Sequence, residues 1–380
     1  MYKVWIGNRE SEILTYNIFD ESITFYGSNK LNNSSFARLN RVPSNYGDEF
    51  KLFVIEKVQN IITKYTDVEF HFYNPRFAHK IIRTIPSLSE YFVNINTYET
   101  LKWITSKTFV REWMSNSIAV PPYALLSKKE CNIRNLQSIF GKYDNFIIQK
   151  DISGGGEGTF LFNVNSETEI NSIMSDYGLF LVSPYLSPKI SICCHMLIDD
   201  FKSYVFPFGI QQSKIINNKL IYKGTNYFDG ISIKDNLLDS AREMAIMVGN
   251  NLRNINYRGI CGLDFIIYDN TIYFIEVNAR YLGSSFLINR ALKEQELPSL
   301  FELNSMCFKS QMPSNLLDHY KVKYASNTEK SEGILEKEVI KDIIKRQTFI
   351  HGNKIYYDGL ENTEHIENNT YLFRELFSNH

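Results

Sequence analysis

The sequence predicts a mixed α/β and α+β protein built from more than one packed unit. Three observations carry this reading. A strand, helix, strand pattern spans about the first hundred residues. Two strand-like runs flank a glycine-rich turn at residues 146–162, FIIQKDISGGGEGTFLF. Residues 261–280, CGLDFIIYDNTIYFIEVNAR, read as two β-strands joined at Asp269-Asn270, just after an amphipathic helix. A chain of 380 residues suits two or three units on the rule of ~150 residues per domain.

The elements follow in order. Residues 2–6 form a short strand ending at Gly7-Asn8, and the apolar run 23–26 stops at Gly27-Ser28-Asn29. Residues 48–65 carry Phe50, Val54, Val58, Ile61 and Ile62 on one helical stripe, and a strand follows at 68–72. Residues 97–116 are helical, and the pair Pro121-Pro122 must end any helix before it. A short helix is expected at 133–140, strands at 145–151, 159–164, 179–185 and 190–198, and a helix at 237–252 with Leu238, Ala241, Ala245, Val248 and Leu252 in phase. Beyond residue 311 the character changes: 326–332 reads as a polar loop, 334–344 as a helix, and 349–357 as β-prone residues turning at Gly352-Asn353.

Composition narrows the function. Apolar residues at 44% and charged residues at 22% are globular rather than disordered. A net charge of −1 offers no reason to expect nucleic acid or an anionic membrane as partner. The five cysteines, Cys131, Cys193, Cys194, Cys261 and Cys307, are odd in number and include no CxxC pair, which favours a reducing compartment over a disulfide framework. The start MYKVWIGNRE is not that of a signal peptide, and no run approaches the ~18 apolar residues that span a bilayer. A cytoplasmic protein is expected.

Chemistry concentrates at 261–280. Asp264, Glu276 and Asn278 are oxygen donors on an otherwise apolar, aromatic-rich hairpin, a costly place for two carboxylates unless a cation meets them. Mg²⁺ takes such ligands. Glu276 and Asn278, two apart, share a strand face. A two-residue turn at 269–270 in a regular ladder would put Asp264 opposite Ile275, facing away from Glu276. A shared face requires a three-residue turn at 269–271 or a bulge. Either carboxylate alone would be read as a surface or salt-bridged residue. The pair, beside Asn278 and Arg280, favours function. The glycine loop, Gly154, Gly155, Gly156 and Gly158, can aim backbone N–H groups at an anion, with Lys150 just before it. It is not a P-loop, since no Gly-Lys-Ser/Thr follows, and a lid between two strands describes it better. Cys193 and Cys194 sit in an apolar strand and read as core, and His195 in the same strand reads as a satisfied core or surface histidine rather than a base.

The order Lys107, Lys150, glycine loop, G-x-D-F at 262–265 and E-V-N-x-R at 276–280 resembles the ATP-grasp superfamily of carboxylate ligases over about residues 100–300. The resemblance implies ATP held between two α+β subdomains with Mg²⁺ (two ions expected, with Mn²⁺ able to substitute). Lys107 and Lys150 would contact the phosphates, and Ser153 to Thr159 would close over them. The strand end at 181–186, with Ser183, Tyr185 and Leu186, would hold adenine. Asp264, Glu276 and Asn278 would hold the metal, and Arg280 the substrate carboxylate or the transferring phosphoryl group, with Lys150 acting beside it. The division implied is 1–100, an N-terminal α/β domain; 101–188 and 189–310, the two ATP-grasp subdomains; and 311–380, a C-terminal extension. The usual acidic hinge residue is missing, Lys189 or Ser191 stands near the usual ribose-binding glutamate, and Ser106 replaces the aspartate often seen before the first lysine. The YKGTNYFD segment, residues 222–229, resembles a loop bordering such active sites, and Lys223 and Arg258 are secondary site candidates.

The expected activity is ADP-forming ligation of an amino-acid or peptide carboxylate to an amine. An alternative is loading of an amino acid onto an acyl-carrier protein as a thioester, in natural-product biosynthesis. From other classes, a phosphotransferase or a nucleotide-binding protein without turnover is the rival.

Overall fold

The computed structural model describes residues 1–26, 34–36, 47–141, 143–152, 158–163, 178–187, 189–216, 218–228, 233–313, 322, 324–330, 335–336, 350–351, 354–357, 365–366 and 371–378. The first unit is a parallel sheet of strands β1 (Tyr2–Arg9), β2 (Glu21–Tyr26), β3 (Ser34–Phe36) and, after helix α1 (Asp48–Lys64), β4 (Val68–Phe72), in the order β3-β2-β1-β4. Helix α1 forms because Phe50, Val54, Ile55, Val58 and Ile61 fall on one stripe and are buried against Val4, Ile6, Ile23 and Phe70 of the sheet. Helix α2 (Pro75–Thr84) starts where the Asn74 side chain accepts from Arg76 N and Pro75 takes the first helical position. Tyr73, between β4 and α2, is thereby held at the end of the parallel sheet.

The stretch expected as one helix at 97–116 is two. Helix α3 (Tyr98–Thr105) ends at Ser106, whose extended backbone (φ −78°, ψ 112°) breaks the turn. Helix α4 (Lys107–Ser115) restarts at once, with Ser106 Oγ accepting from Phe109 N at 3.1 Å. The apolar pattern runs through the break, so periodicity alone does not reveal it.

Strand β5 (Ala124–Leu126) and helix α5 (Ile133–Phe140) lead to β6 (Asn145–Lys150), β7 (Thr159–Asn163) and β8 (Phe180–Pro184), an antiparallel group in the order β5-β8-β6-β7. Phe146, Ile148, Phe162, Phe180 and Val182 bury one face against Leu136 of α5. The main sheet begins with β9 (Ile190–Ile198), β10 (Ser203–Val205), β11 (Gly209–Ile216) and β12 (Lys219–Asn226). After helix α6 (Asp235–Asn254) come β13 (Gly259–Tyr268) and β14 (Thr271–Asn278), then helices α7 (Ser285–Glu294) and α8 (Leu300–Phe308). Strand β9 is nearly continuously apolar because both of its faces are covered. Ile192, Cys194, Met196 and Ile198 meet α6 and the α3–α4 pair, whereas Leu197 meets the α7–α8 side.

The C-terminal residues differ from expectation. Residues 324–330, within the stretch expected as a polar loop from 326, are strand β15 (Tyr324–Lys330), which pairs with β12 and so continues the main sheet. In the segment expected as a helix at 334–344, Leu335–Glu336 is instead a short strand, β16, and the remaining residues lie outside those described. Strands β17 (Ile350–His351), β18 (Lys354–Tyr357), β19 (His365–Ile366) and β20 (Tyr371–Ser378) complete the chain; β20 pairs with β15 and β18. The turn expected at Gly352-Asn353 lies outside the described residues. Tyr222 to Asn226 belong to strand β12 rather than to a loop.

Candidate active site

The turn between β13 and β14 has two residues, Asp269 (φ 49°) and Asn270 (φ 55°), both left-handed as a tight hairpin turn requires. Tyr268 pairs with Thr271, Ile267 with Ile272, Ile266 with Tyr273 and Phe265 with Phe274. The register then shifts: Asp264 pairs with Glu276, and Ile275 is the extra residue of a β-bulge. The requirement that the two carboxylates face the same side is met by the bulge, not by a longer turn.

Around that pair the side chains converge. Lys107, at the first position of α4, places Nζ 2.9 Å from Glu276 Oε2. Asn278 Nδ2 donates to Asp264 Oδ2 at 2.9 Å and to Glu276 Oε1 at 3.4 Å. Arg280 Nη2 donates to Asn278 Oδ1 at 3.3 Å and Nη1 to the Tyr73 hydroxyl at 3.2 Å, which ties the parallel-sheet unit to the site. Gln211 of β11 donates from Nε2 to Asp264 Oδ1 at 2.8 Å. Gln211, Tyr73 and Arg111 are absent from the sequence reading, because each arrives through a pairing distant along the chain.

Electrostatics separates the two acids. Burial, with the neighbouring Glu276 charge, pushes Asp264 up to about 8. Burial also pulls Glu276 upward, but the Lys107 ammonium, with Arg280 and the Asn278 amide, outweighs it and holds the carboxyl below its ordinary value. Two facing half-buried carboxylates, with one forced toward the neutral form, are a donor set that fits Mg²⁺. Asn278 turns its amide nitrogen toward them, so ligation by its Oδ1 requires that amide rotated half a turn.

The start of α4 is tied to the end of β6 by Asp151, the residue after Lys150. Its Oδ1 accepts from Ser106 Oγ (2.7 Å), Thr108 N (3.0 Å) and Thr108 Oγ1 (2.8 Å), and its carbonyl accepts from Lys107 N (3.1 Å). A carboxylate at the N-terminus of α4 is thus supplied from the end of β6 rather than from Ser106 itself. Lys150 is exposed, with Nζ 5.7 Å from the Phe160 ring centroid, and Lys150 N donates to Gly158 O at 2.8 Å. Ser153, Gly154, Gly155 and Gly156 lie outside the described residues. Ser183 on β8 is buried, and its Oγ has no hydrogen-bond partner among the described residues. Tyr185 N donates to Asn145 O at 2.8 Å, Lys189 Nζ lies 4.3 Å from the Tyr185 ring centroid, and Leu186 is buried.

Other residues singled out in the sequence make the following contacts. His195 is buried with Nε2 2.9 Å from Ser285 Oγ, and burial drives its pKa down to about 3. Cys193 and Cys194 are buried, and burial raises both thiols. Arg258 ion-pairs with Asp200 and is anchored through its backbone to Asn96.

Residues 104–284 match the family model described as the ATP-grasp domain, and they form such a domain. The butirosin acyl-carrier protein–L-glutamate ligase of Niallia circulans is 24% identical over 133 residues, which is 34% of this chain and 30% of that one. Among solved structures, the biotin carboxylase domain of Hydrogenobacter thermophilus 2-oxoglutarate carboxylase, in complex with MgADP, ADP and bicarbonate, aligns with a TM-score of 0.67 at 11% identity, covering 99% of this chain and 86% of that one. N5-carboxyaminoimidazole synthetase from Staphylococcus aureus, complexed with ADP, aligns with a TM-score of 0.62 at 12% identity, covering 100% and 93%. The whole chain therefore shares the fold of these two structures. Among the described residues no helix is long and apolar enough to cross a membrane.

Proposed function

We propose that this chain is an ATP- and Mg²⁺-dependent, ADP-forming ligase that activates an amino-acid or peptide carboxylate and joins it to an amine. One observation carries the reading: Asp264 and Glu276 meet across a bulge, with Lys107 on Glu276. A carboxylate is a poor electrophile. Transfer of the γ-phosphoryl group to its oxygen, with ADP leaving, makes an acyl phosphate; the amine then attacks the acyl carbon, phosphate leaves and the amine gives up a proton. The protein's task is to bring anions together without repulsion.

In this reading Lys107 and Lys150 neutralise the nucleotide phosphates. Ser153 to Thr159 cover them and keep water from the acyl phosphate. Ser183, Tyr185 and Leu186 line the adenine edge, and the Ser183 hydroxyl, without a partner among the described residues, is a donor for it. Asp264, Glu276 and, after the amide turns, Asn278 hold Mg²⁺, expected as two ions with Mn²⁺ as substitute. That metal supplies charge neutralisation at the transferring phosphoryl group. Arg280, steadied by Tyr73, holds the substrate carboxylate or the phosphoryl oxygens. A cytoplasmic setting suits an ATP-consuming enzyme with buried, unpaired cysteines.

The named specificity of the Niallia relative supports a second reading: the acceptor is the thiol of an acyl-carrier protein, and the product a thioester. Incubation with ATP, Mg²⁺ and an amino-acid panel, with and without amine acceptors or a carrier protein, tests both. ADP release that needs a carboxylate and an acceptor is the expected result. AMP release contradicts the acyl-phosphate route, and ADP with a stable phosphorylated product and no acceptor makes the protein a phosphotransferase.

A further inference from the structure

The bulge that aligns Asp264 with Glu276 is itself held from outside the hairpin. Arg111, on α4, is 2% exposed, and its Nη2 donates to the carbonyl of Ile275, the bulged residue, at 3.1 Å. Lys107 and Arg111 are one helical turn apart and share a face of α4. That face grips two consecutive residues of β14: residue 275 by its backbone and Glu276 by its side chain. The next amide outward is also anchored, since Phe274 N donates to Ala119 O at 2.9 Å.

Burying a guanidinium is expensive, and an apolar side chain of similar volume often serves a core better. Burial lowers the Arg111 pKa to about 10 against the opposing pull of Glu276, so the group stays charged at neutral pH. Among the described residues its Nε and Nη1 are buried without hydrogen-bond partners, so the carbonyl bond to Ile275 and the Glu276 field are what this costly residue secures there. Without the bulge, the Phe265–Phe274 register would continue to Asp264–Ile275, and Glu276 would turn to the opposite face.

We infer that Arg111 is a positioning residue that pins the Ile275 bulge and so keeps Glu276 on the same face as Asp264. The inference rests on reading that pair as a metal site. Its test is the Mg²⁺ concentration that gives half of the maximal thermal stabilisation by ADP, measured for wild type, R111M, R111K and M114A. Met114 lies on the same helix, is fully buried and has no polar bond to Ile275, its Sδ accepting instead from Asn251 Nδ2 at 3.5 Å, so M114A reports on loss of packing. For R111M the half-point should rise by about tenfold or more, as loss of outer partners of metal ligands does elsewhere. R111K, which keeps one donor, should fall between, while M114A should lose thermal stability with an unchanged half-point. A wild-type half-point in R111M, or an equal shift in M114A, overturns the inference. If R111M does not fold, R111K against M114A decides the same question. A wild type that ADP stabilises equally with and without Mg²⁺ overturns the metal reading itself and this inference with it.

Discussion

Glu276→Gln should lower turnover by about 10³-fold, the scale on which loss of one preorganised charge at a transferring group is felt. Gln keeps the shape of the side chain and an oxygen for Lys107 Nζ, now at 2.9 Å from Glu276 Oε2. It removes the charge that faces Asp264. Two stability effects oppose each other: the Lys107 ammonium loses the Glu276 charge, and the repulsion that adds to burial in raising Asp264 disappears. The melting temperature should therefore move by only a few degrees, about 1 kcal/mol on the usual conversion. Turnover is read as ADP release with the carboxylate and acceptor that wild type accepts. Turnover within tenfold of wild type would refute the role given to Glu276.

Asp264→Asn should change how the metal-free protein responds to pH. In the folded protein burial and Glu276 raise Asp264 from 3.8 to about 8. Between about pH 4 and pH 8 the folded state therefore holds a proton that the unfolded chain has released. With more protons bound in the native state, stability falls as pH rises through that window and levels off above it. Asn carries no such proton. Thermal melts in EDTA should show wild type losing stability from pH 5 to pH 8 relative to Asp264→Asn, with the variant the more stable at pH 8. Parallel pH profiles for the two proteins would contradict the buried, repelled state of Asp264. Activity of the variant should fall along with Mg²⁺ affinity, since one donor of the pair is gone.

The hairpin was legible because its chemistry is local. Asp264, Glu276 and Asn278 lie within one short stretch, and strand periodicity alone showed that a regular two-residue hairpin would separate the acids. Choosing between a longer turn and a bulge was beyond that reasoning. At the bulge β14 is bonded from other elements, by Arg111 to the Ile275 carbonyl and by Ala119 to Phe274 N, and those contacts are not local in sequence. The same distance hid Gln211, Tyr73 and Asp151: their roles exist only once β11 and β9, the parallel sheet and β6 have been brought in. At residues 326–330 polarity pointed to a loop, yet Ser326 and Asn327 sit between Thr225 and Gly224 of β12 on one side and Leu376 and Glu375 of β20 on the other. Strand formation there follows from non-local pairing that outweighs composition. In the 97–116 stretch the sequence carries the stripe, and only the Asp151 carboxylate, bonded to Ser106 and Thr108, explains why one helix stops and a second begins with Lys107.

The central claim is that the Asp264–Glu276 pair takes up Mg²⁺ together with a nucleotide. Calorimetric titration of the protein with ADP, once in Mg²⁺ and once in EDTA, tests it most directly. Wild type should bind ADP at least about tenfold more tightly with Mg²⁺, a difference of roughly 1.4 kcal/mol, and Glu276→Gln should bind it equally in both. Equal affinity of wild type in Mg²⁺ and EDTA would contradict the account.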